Sequence, residues 1–517
     1  MSNQDNFKKI ISHCKEYGFI FPSSEIYDGL SAVYDYGPNG VELKNNIKGY
    51  WWAAMVKMHE NIVGLDSAIF MHPTIWKASG HVDAFNDPLV DNKDSKKRYR
   101  ADVLIEDHVA NKIDKKINKE ITKAKKRFGD DFDEKEFRAT NQRVLANQEK
   151  KDQLMKRFTS AMDAGDMTEI KQIIEDYEIA DPDTGSKNWT DVRQFNLMFG
   201  TEMGAVAEGA STVYLRPETA QGIFVNFLNV QKTTRQKLPF GIAQVGKAFR
   251  NEIVARQFIF RMREFEQMEM QFFVPPGTQT EFYEYWKEKR MKWHQAIHPN
   301  SKLRFHDHDN LAHYAKAAVD IEFDFPFGFK ELEGIHSRGD FDLKQHQEFS
   351  GKKLMYFDPA RDENYIPYVV ETSIGVDRMF LATVSNALTE EEVPDAKGGT
   401  AMRTVMNIHP ALSPVKVAIL PLVKKDEQLT SKARNIFEHL KFDHNCQYDE
   451  KDAIGRRYRR QDAIGTPYCV TVDTQTIEDE TVTLRERDSM EQIRIPIAGL
   501  EQAIKDRLDM RSLLNHI

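Results

Sequence analysis

The sequence predicts an α+β protein: an antiparallel sheet core flanked by helices, a helical insertion, and a C-terminal α/β domain. Three observations carry this reading. First, "FGIAQVGKAFRNE" (240–252) and "REFEQMEMQFF" (263–273) alternate with period two and are separated by ten residues, the pattern of an antiparallel strand pair. Second, residues 107–188 are dominated by Lys, Asp, Glu, Gln and Arg, with sparse apolar positions at helical spacing, as in "NKIDKKINKEITKAKKRF". Third, strand and helix patterns alternate after the two prolines of "NIHPALSP" (407–414): "VKVAILPLV", "DEQLTSKARNIFEHLKF", "YCVTVD", and a last helix from about residue 499.

The 517 residues are too many for one ordinary core and imply two or three domains. The texture of the chain divides it into an ordered first part (1–106), the charged insertion (107–188), a second ordered part rich in aromatic and β-favouring segments (189–406), and the C-terminal domain (415–517). Hydrophobic residues at 40% and charged ones at 29% fit a globular protein, and no apolar run approaches the roughly 20 residues of a membrane helix. The start, "MSNQDNFKKI", has no secretory pattern, and Cys14, Cys446 and Cys469 are too few and scattered for a disulfide framework. Both point to a cytoplasmic protein. A net charge of -8 argues against a generally basic nucleic-acid-coating protein and leaves local basic clusters to be judged on their own.

Such a cluster lies in the strand pair. Side chains two apart share a face, so Gln244, Gly246, Ala248, Arg250 and Glu252 line up on one strand, and Arg263, Phe265, Gln267, Glu269, Gln271 and Phe273 on the other. Met268, Met270 and Phe272 form the opposite, core-like face. The small residues before Arg250 let something approach closely. Guanidiniums hold phosphate oxygens bidentately and an aromatic ring can stack a nucleobase, so this surface suits a nucleotide polyphosphate. No G-x-x-x-x-G-K-[ST] or G-x-G-x-x-G loop is present, which leaves phosphate binding to arginines. A solvated sheet face with cross-strand ion pairs is the competing explanation. In the C-terminal domain "GRRYRRQDAIG" (455–465) sets Arg456, Arg457, Arg459 and Arg460 around Tyr458, a set able to hold RNA phosphates and stack an unpaired base, or else a charged helix surface.

Several segments in this order resemble the homodimeric, class II glycyl-tRNA synthetases. "FRNEI" and its hairpin match the second class-defining motif, and "SIGVDRMFLA" (373–382) the third; the helix and "SAIFMHP" within 40–74, ending at Pro73, are similar to the first, which lies at the dimer interface in that family. Taken together and in this order, joined by "YLRPETAQGIFVNF" (214–227) and "KELEGIHSRGDFDL" (330–343), these motifs are specific for the glycyl family, and "AIGRRYRRQDAIGTPYCVTVD" (453–473) resembles its anticodon-binding domain.

The resemblance implies activation of glycine by ATP to glycyl-adenylate and pyrophosphate, then transfer to the 3′ end of tRNA(Gly), by a homodimer with magnesium. It implies ATP contacts at Arg250, Asn251, Glu252, Phe260, Arg261, Met262, Arg263, Glu264, Phe265, Glu331, Leu332, Gly375, Val376, Asp377 and Arg378. Arg250 would hold the α-phosphate and the carboxylate, Arg378 the γ-phosphate, and Phe265 would stack on adenine with Glu252 at its amino edge. Glu331 is the magnesium candidate and Glu333 its alternative. Glycine contacts are implied at Arg100, Glu218, Phe265, Glu266, Gln267, Met268, Glu269, Glu371, Thr372, Ser373, Ile374 and Gly375. A substrate with no side chain must be gripped by its ends, and carboxylates with a hydroxyl suit its ammonium group. Arg456, Arg457, Tyr458, Arg459 and Arg460 are implied at the anticodon. Arg256, mid-turn, is expected to be exposed or to face tRNA.

Where some members carry Cys-x-x-Cys after the first motif, this chain has Asn92 and Ser95, so no zinc is expected there. The insertion is read equally as a contact to the tRNA acceptor arm or as a solvated helical hairpin. A class II synthetase for another small amino acid, and a non-catalytic nucleic-acid-binding relative, are the alternative functions.

Overall fold

A computed structural model describes residues 3–129, 132–204, 211–253, 257–308, 316–394, 399–515 and 517. Arg256 lies outside the described residues. The chain forms two compact units, one made of Met1–Ser79, Gly200–Arg250 and Arg256–Ile517, the other of Gly80–Phe199 and Asn251–Ala255.

The first unit is built on a seven-stranded sheet of β1 (Ile62–Gly64), β2 (Phe240–Phe249), β3 (Glu264–Val274), β4 (Leu303–Asp307), β5 (Ala317–Phe325), β6 (Gly328–Gly339) and β7 (Tyr368–Gly375), in the order β4-β5-β6-β7-β3-β2-β1. All neighbours are antiparallel except β1 and β2, which run parallel. The period-two pattern of the hairpin therefore reports true β2–β3 pairing, with Phe265 opposite Ala248 and Gln267 opposite Gly246.

Helices that dress this sheet include α1 (Pro38–Trp52), α2 (Ala220–Thr234), α3 (Gln279–Ile297), α4 (Phe341–Ser350) and α5 (Val376–Ala387). Met268, Met270 and Phe272 pack with Tyr50, Trp51, Trp286, Trp293 and Met379 in one large core, so α1, α3 and α5 cover the apolar face. On the other face α2 and α4 cover only the far end, where Phe273 meets Phe224, Phe227 and Leu343. The polar half of that face, from Phe265 to Gln271, is left to line a site.

A hairpin of β8 (Leu388–Pro394) and β9 (Thr400–Met406) follows, then a five-stranded sheet of β10 (Val417–Pro421), β11 (Cys446–Tyr448), β12 (Tyr468–Val472), β13 (Thr481–Glu486) and β14 (Gln492–Pro496), ordered β11-β10-β12-β13-β14. Its first three strands are parallel, with α6 (Glu427–Leu440) and α7 (Ile454–Ile464) between them in sequence. The expected strand–helix alternation is present. Asp462 of α7, fully buried, accepts from Arg403 of β9 (2.8 Å) and from Arg485 of β13 (2.9 and 3.1 Å), an ion cluster that ties hairpin to domain.

The second unit has a three-stranded sheet, Asn86–Asp91 between Arg98–Arg100 and Arg193–Asn196, and helices Ala101–His108, Lys115–Phe128, Glu134–Thr140, Gln142–Asp163 and Met167–Asp176. The sparse apolar positions of the insertion make a core of their own, in which Ile105, Leu154, Ile170, Ile173 and Ile174 are buried. Among the described residues no helix is long and apolar enough to cross a membrane.

Candidate active site

The polar face of β2, β3, β7 and β6 carries the site in rows set by register. One row runs Gly334–Ser373–Glu269–Gln244 and the next His336–Glu371–Gln271–Ile242. Adjacent strands thus bring carboxylates from distant parts of the chain side by side.

Glu269 and Glu371 are both buried, and the Gln271 amide nitrogen donates to each, to Oε1 of Glu269 at 2.8 Å and Oε2 of Glu371 at 2.7 Å. Glu371 also accepts from Arg338 Nη1 (2.8 Å) and His336 Nδ1 (2.7 Å). Burial works against its charge, but Arg338 and His336 outweigh it and hold the carboxyl well below the usual range. The other oxygen of Glu269 accepts from the Thr219 hydroxyl. Burial, then the nearby charges of Glu371 and Glu218, push its pKa well above the ordinary value. Gln267 accepts from the Thr219 amide (3.1 Å) and reaches the Ser373 hydroxyl (3.4 Å); Glu218 accepts from Gln221 (2.9 Å), which with Arg338 meets Asp342 of α4. Glu218, Gln267, Glu269, Glu371 and Ser373 therefore share one acidic pocket.

Beside it, the Arg250 guanidinium lies 5.3 Å from the Phe265 ring centre and donates to the Pro217 carbonyl at 3.1 Å. Arg378, at the start of α5, pairs with Glu331 (2.8 Å) and lies over the Phe260 ring at 4.5 Å. The Arg378 charge holds Glu331 below the usual carboxylate pKa. Arg263 donates to the Ser31 carbonyl at 3.0 Å.

Other expected residues turn elsewhere. Leu332 is the extra residue of a bulge, since Glu331 pairs with Glu322 but Glu333 with Ile321. The bulge reverses the faces, so Glu333 is fully buried against Arg290 (2.6 Å) and His294 (2.6 Å) and cannot serve as the alternative magnesium ligand. Met262, Met268, Leu332, Ile374 and Val376 are core side chains, and Thr372 is buried between Met270 and Ile335 in register. Asp377 accepts from Lys44 (3.0 Å), the Tyr36 hydroxyl and the Glu266 amide (2.9 Å), while Glu266 pairs with Lys44 and Lys48 of α1. These two carboxylates clasp α1, β3 and α5. Glu264 pairs with Lys247 across the hairpin, Arg261 is half-buried, and Gly375 packs against the Arg378 stem.

Arg100, Asn251 and Glu252 belong to the second unit. There Arg100 pairs with Asp87 (3.0 Å) and Asp102 (2.6 Å), Asn251 donates to the Leu197 carbonyl, and Glu252 is buried. In α7 the arginines divide. Arg457 is buried and donates to the carbonyls of Pro421 (2.7 Å), Asp449 (3.0 Å) and Leu422 (3.3 Å); Arg460 pairs with Asp449 and Asp452; the Tyr458 ring lies under Arg485 and its hydroxyl meets Thr471. Arg459 is half-buried, and only Arg456 of the five is exposed.

Three family models match this chain: "tRNA synthetase class II core domain (G, H, P, S and T)" over residues 201–387, "Glycyl-tRNA synthetase insertion domain 1" over 87–197, and "Anticodon binding domain" over 416–507. A glycine–tRNA ligase of Chlorobaculum tepidum is 51% identical over 507 residues, covering 97% of this chain and 99% of that one. This chain belongs to the glycyl-tRNA synthetase family.

Similar relatives are the glycine–tRNA ligases of Staphylococcus epidermidis, 48% identical over 97% of this chain and 99% of theirs, and of Macrococcus caseolyticus, 47% identical over 98% and 99%. The α+β class II core and the α/β domain expected from the sequence are the architecture of this family member. Sequence reasoning put Gln271 on the polar face without giving it a role, and missed the other groups that hold the pocket residues in place: Arg216, Thr219, His336 and Arg338. Gly246 contained a signal for the first. A Cβ there would lie 2.3 Å from Arg216 Nη2, so what the small residues of β2 admit is the buried guanidinium of Arg216, itself held by the carbonyls of Lys247 (2.6 Å) and Ser67 (2.8 Å).

Proposed function

We propose that this glycyl-tRNA synthetase activates glycine with ATP on the open face of its class II sheet and transfers the glycyl group to the 3′ end of tRNA(Gly). The observation that carries the reading is the pairing of an acidic pocket with a basic, aromatic one: Glu218, Glu269 and Glu371 stand beside Arg250 on Phe265 and Arg378 on Glu331. The first set suits an ammonium group and the second a nucleoside polyphosphate.

In this reading the glycine carboxylate attacks the α-phosphorus in line, and the residues act by alignment and by stabilising charge on phosphate. Arg250 bridges carboxylate and α-phosphate, Arg378 takes the γ-phosphate, and adenine stacks on Phe265. Arg261 and Arg263 flank the phosphates. Among the described residues no three His, Cys, Asp or Glu stand together as a metal cluster. Magnesium needs only one or two carboxylates plus phosphate and water oxygens, so the half-exposed Glu331 fits it chemically, and the ion would neutralise phosphate charge. The enzyme acts as a homodimer through residues 40–74, a reading that exposed Val41, Met58 and Phe70 support. Arg456 contacts the anticodon loop.

Exchange of labelled pyrophosphate into ATP tests this, run with glycine, alanine, serine, threonine and proline in turn. Exchange with glycine is expected. Exchange with serine alone would make the chain a synthetase for another amino acid, and none with any of them would leave a non-catalytic relative.

A further inference from the structure

Two turns of the second unit, at residues 92–97 and 181–186, repeat one hydrogen-bond pattern atom for atom. In the first, Asn92 Oδ1 accepts from the amides of Asp94 (3.1 Å) and Ser95 (3.0 Å); in the second, Asp181 Oδ1 accepts from those of Asp183 (2.8 Å) and Thr184 (3.3 Å). The Lys96 amide donates to the Asn92 carbonyl and the Gly185 amide to that of Asp181, at 3.0 and 2.8 Å, with both donors at positive φ. The first residue of each turn donates to the carbonyl five positions on, Asn92 to Lys97 and Asp181 to Ser186. The turns also grip each other reciprocally. Ser186 and Asn188 donate to Asp94, while Lys97 pairs with Asp183. At the centre Ser95 Oγ donates to Asp181 Oδ2 at 2.5 Å, and Asn92 and Asp181 are both buried.

A side chain that accepts the amides two and three residues on, with a second side chain at the third, is the geometry of a metal knuckle, where C-x-x-C thiolates take those positions. Two facing knuckles present four ligands to one centre. Here the four positions are Asn92, Ser95, Asp181 and Thr184, and they do not suit zinc: three are neutral oxygen groups, and Asp181 spends its carboxylate on Asp183, Thr184, Tyr99 and Ser95.

We propose that these twin turns are a metal knuckle pair rebuilt in oxygen: a metal-free staple, centred on the Ser95–Asp181 hydrogen bond, that closes the neck of the inserted unit. Five of its helices, from Ala101 to Asp176, lie between the two turns, so the staple closes a long loop. The buried anion at its centre is kept ionised by the same donors. Burial opposes the charge, but the hydrogen bonds outweigh it and bring Asp181 down to about 2.

The test uses the full-length protein, with hydrogen exchange as the readout. Protein made in zinc-supplemented medium should retain no stoichiometric zinc, and chelator should leave amide protection at 92–97 and 181–186 unchanged; bound zinc whose removal strips that protection would overturn the proposal. Ser95→Ala and Asp181→Asn should each raise exchange at these amides about tenfold or more, the loss of a hydrogen bond to a charged group, while glycine-dependent pyrophosphate exchange persists. Unchanged protection in both would also overturn it. The combined variant Asn92→Cys, Ser95→Cys, Asp181→Cys, Thr184→Cys should bind one Co2+ with the intense visible bands of a tetrahedral thiolate site. If that variant keeps its pyrophosphate exchange yet shows only octahedral cobalt, the two turns are not a knuckle pair.

Discussion

Glu269 and Glu371 share a single amide donor, that of Gln271, yet they sit in opposite protonation environments. Glu371 has the Arg338 guanidinium and His336; Glu269 has a hydroxyl and two carboxylate neighbours. Burial and the neighbouring carboxylates disfavour the Glu269 anion, so on the proposed reading a proton on Glu269 should give way to the ammonium group of glycine.

Glycine binding should therefore release a proton. Because the folded pKa of Glu269 is raised, its carboxyl is neutral below that value and ionised above it. The Michaelis constant for glycine in pyrophosphate exchange should then fall as pH rises from the ordinary carboxylate range toward the raised pKa, by up to about tenfold per unit. Glu269→Gln should flatten that profile. A pH-independent constant in the parent enzyme would remove the proton from the pocket.

Glu331 and Glu333 are separated by one bulge residue and should behave as unrelated side chains. Glu333→Ala leaves Arg290 buried without its counter-ion and should cost about 3–5 kcal/mol in denaturant unfolding. Glu331→Ala, at a half-exposed position, should leave the unfolding midpoint in place and lower exchange on the order of 10²-fold, with a raised magnesium requirement. Reversed results would put the metal ligand on the wrong face.

Much of this arrangement was legible in the sequence because strand periodicity is a local property. The alternation in 263–273 separates Phe265, Gln267 and Glu269 from Met268 and Met270, and the two faces of β3 follow it. What periodicity does not reveal is a partner far along the chain. Asp377 reads as a polar residue at a helix start, but it is spent on Tyr36 and Lys44, more than 300 positions away. The bulge at Leu332 is equally silent, since one extra residue reverses every face beyond it without changing composition.

Phe265 tests the adenine platform. It lies beside Arg250 and is partly buried against the core, so truncation removes the ring that would stack on a base, and the unfolding midpoint must be measured alongside. Phe265→Ala should raise the Michaelis constant for ATP by about 1–3 kcal/mol, roughly fivefold to 150-fold, and Phe265→Tyr by much less. An unchanged ATP constant in Phe265→Ala would move adenine elsewhere.

Neighbouring arginines of α7 should separate stability from RNA binding. Arg457 is buried and donates to three carbonyls at the end of β10 and in the loop after β11; no other side chain could satisfy Pro421, Leu422 and Asp449 together without its planar fork. Arg457→Ala leaves those acceptors without a donor and should cost on the order of 3 kcal/mol in the unfolding of the C-terminal domain, with Arg457→Lys recovering only part. Arg456 is exposed one position earlier on the helix. Arg456→Ala should leave unfolding unchanged, weaken tRNA(Gly) binding, and reduce the slope of log affinity against log salt by about 0.7, the value for one phosphate contact to single-stranded RNA. An unchanged slope takes Arg456 out of the RNA interface. Weakened binding in Arg457→Ala with normal unfolding would mean that the buried arginine, and not its exposed neighbour, meets the nucleic acid.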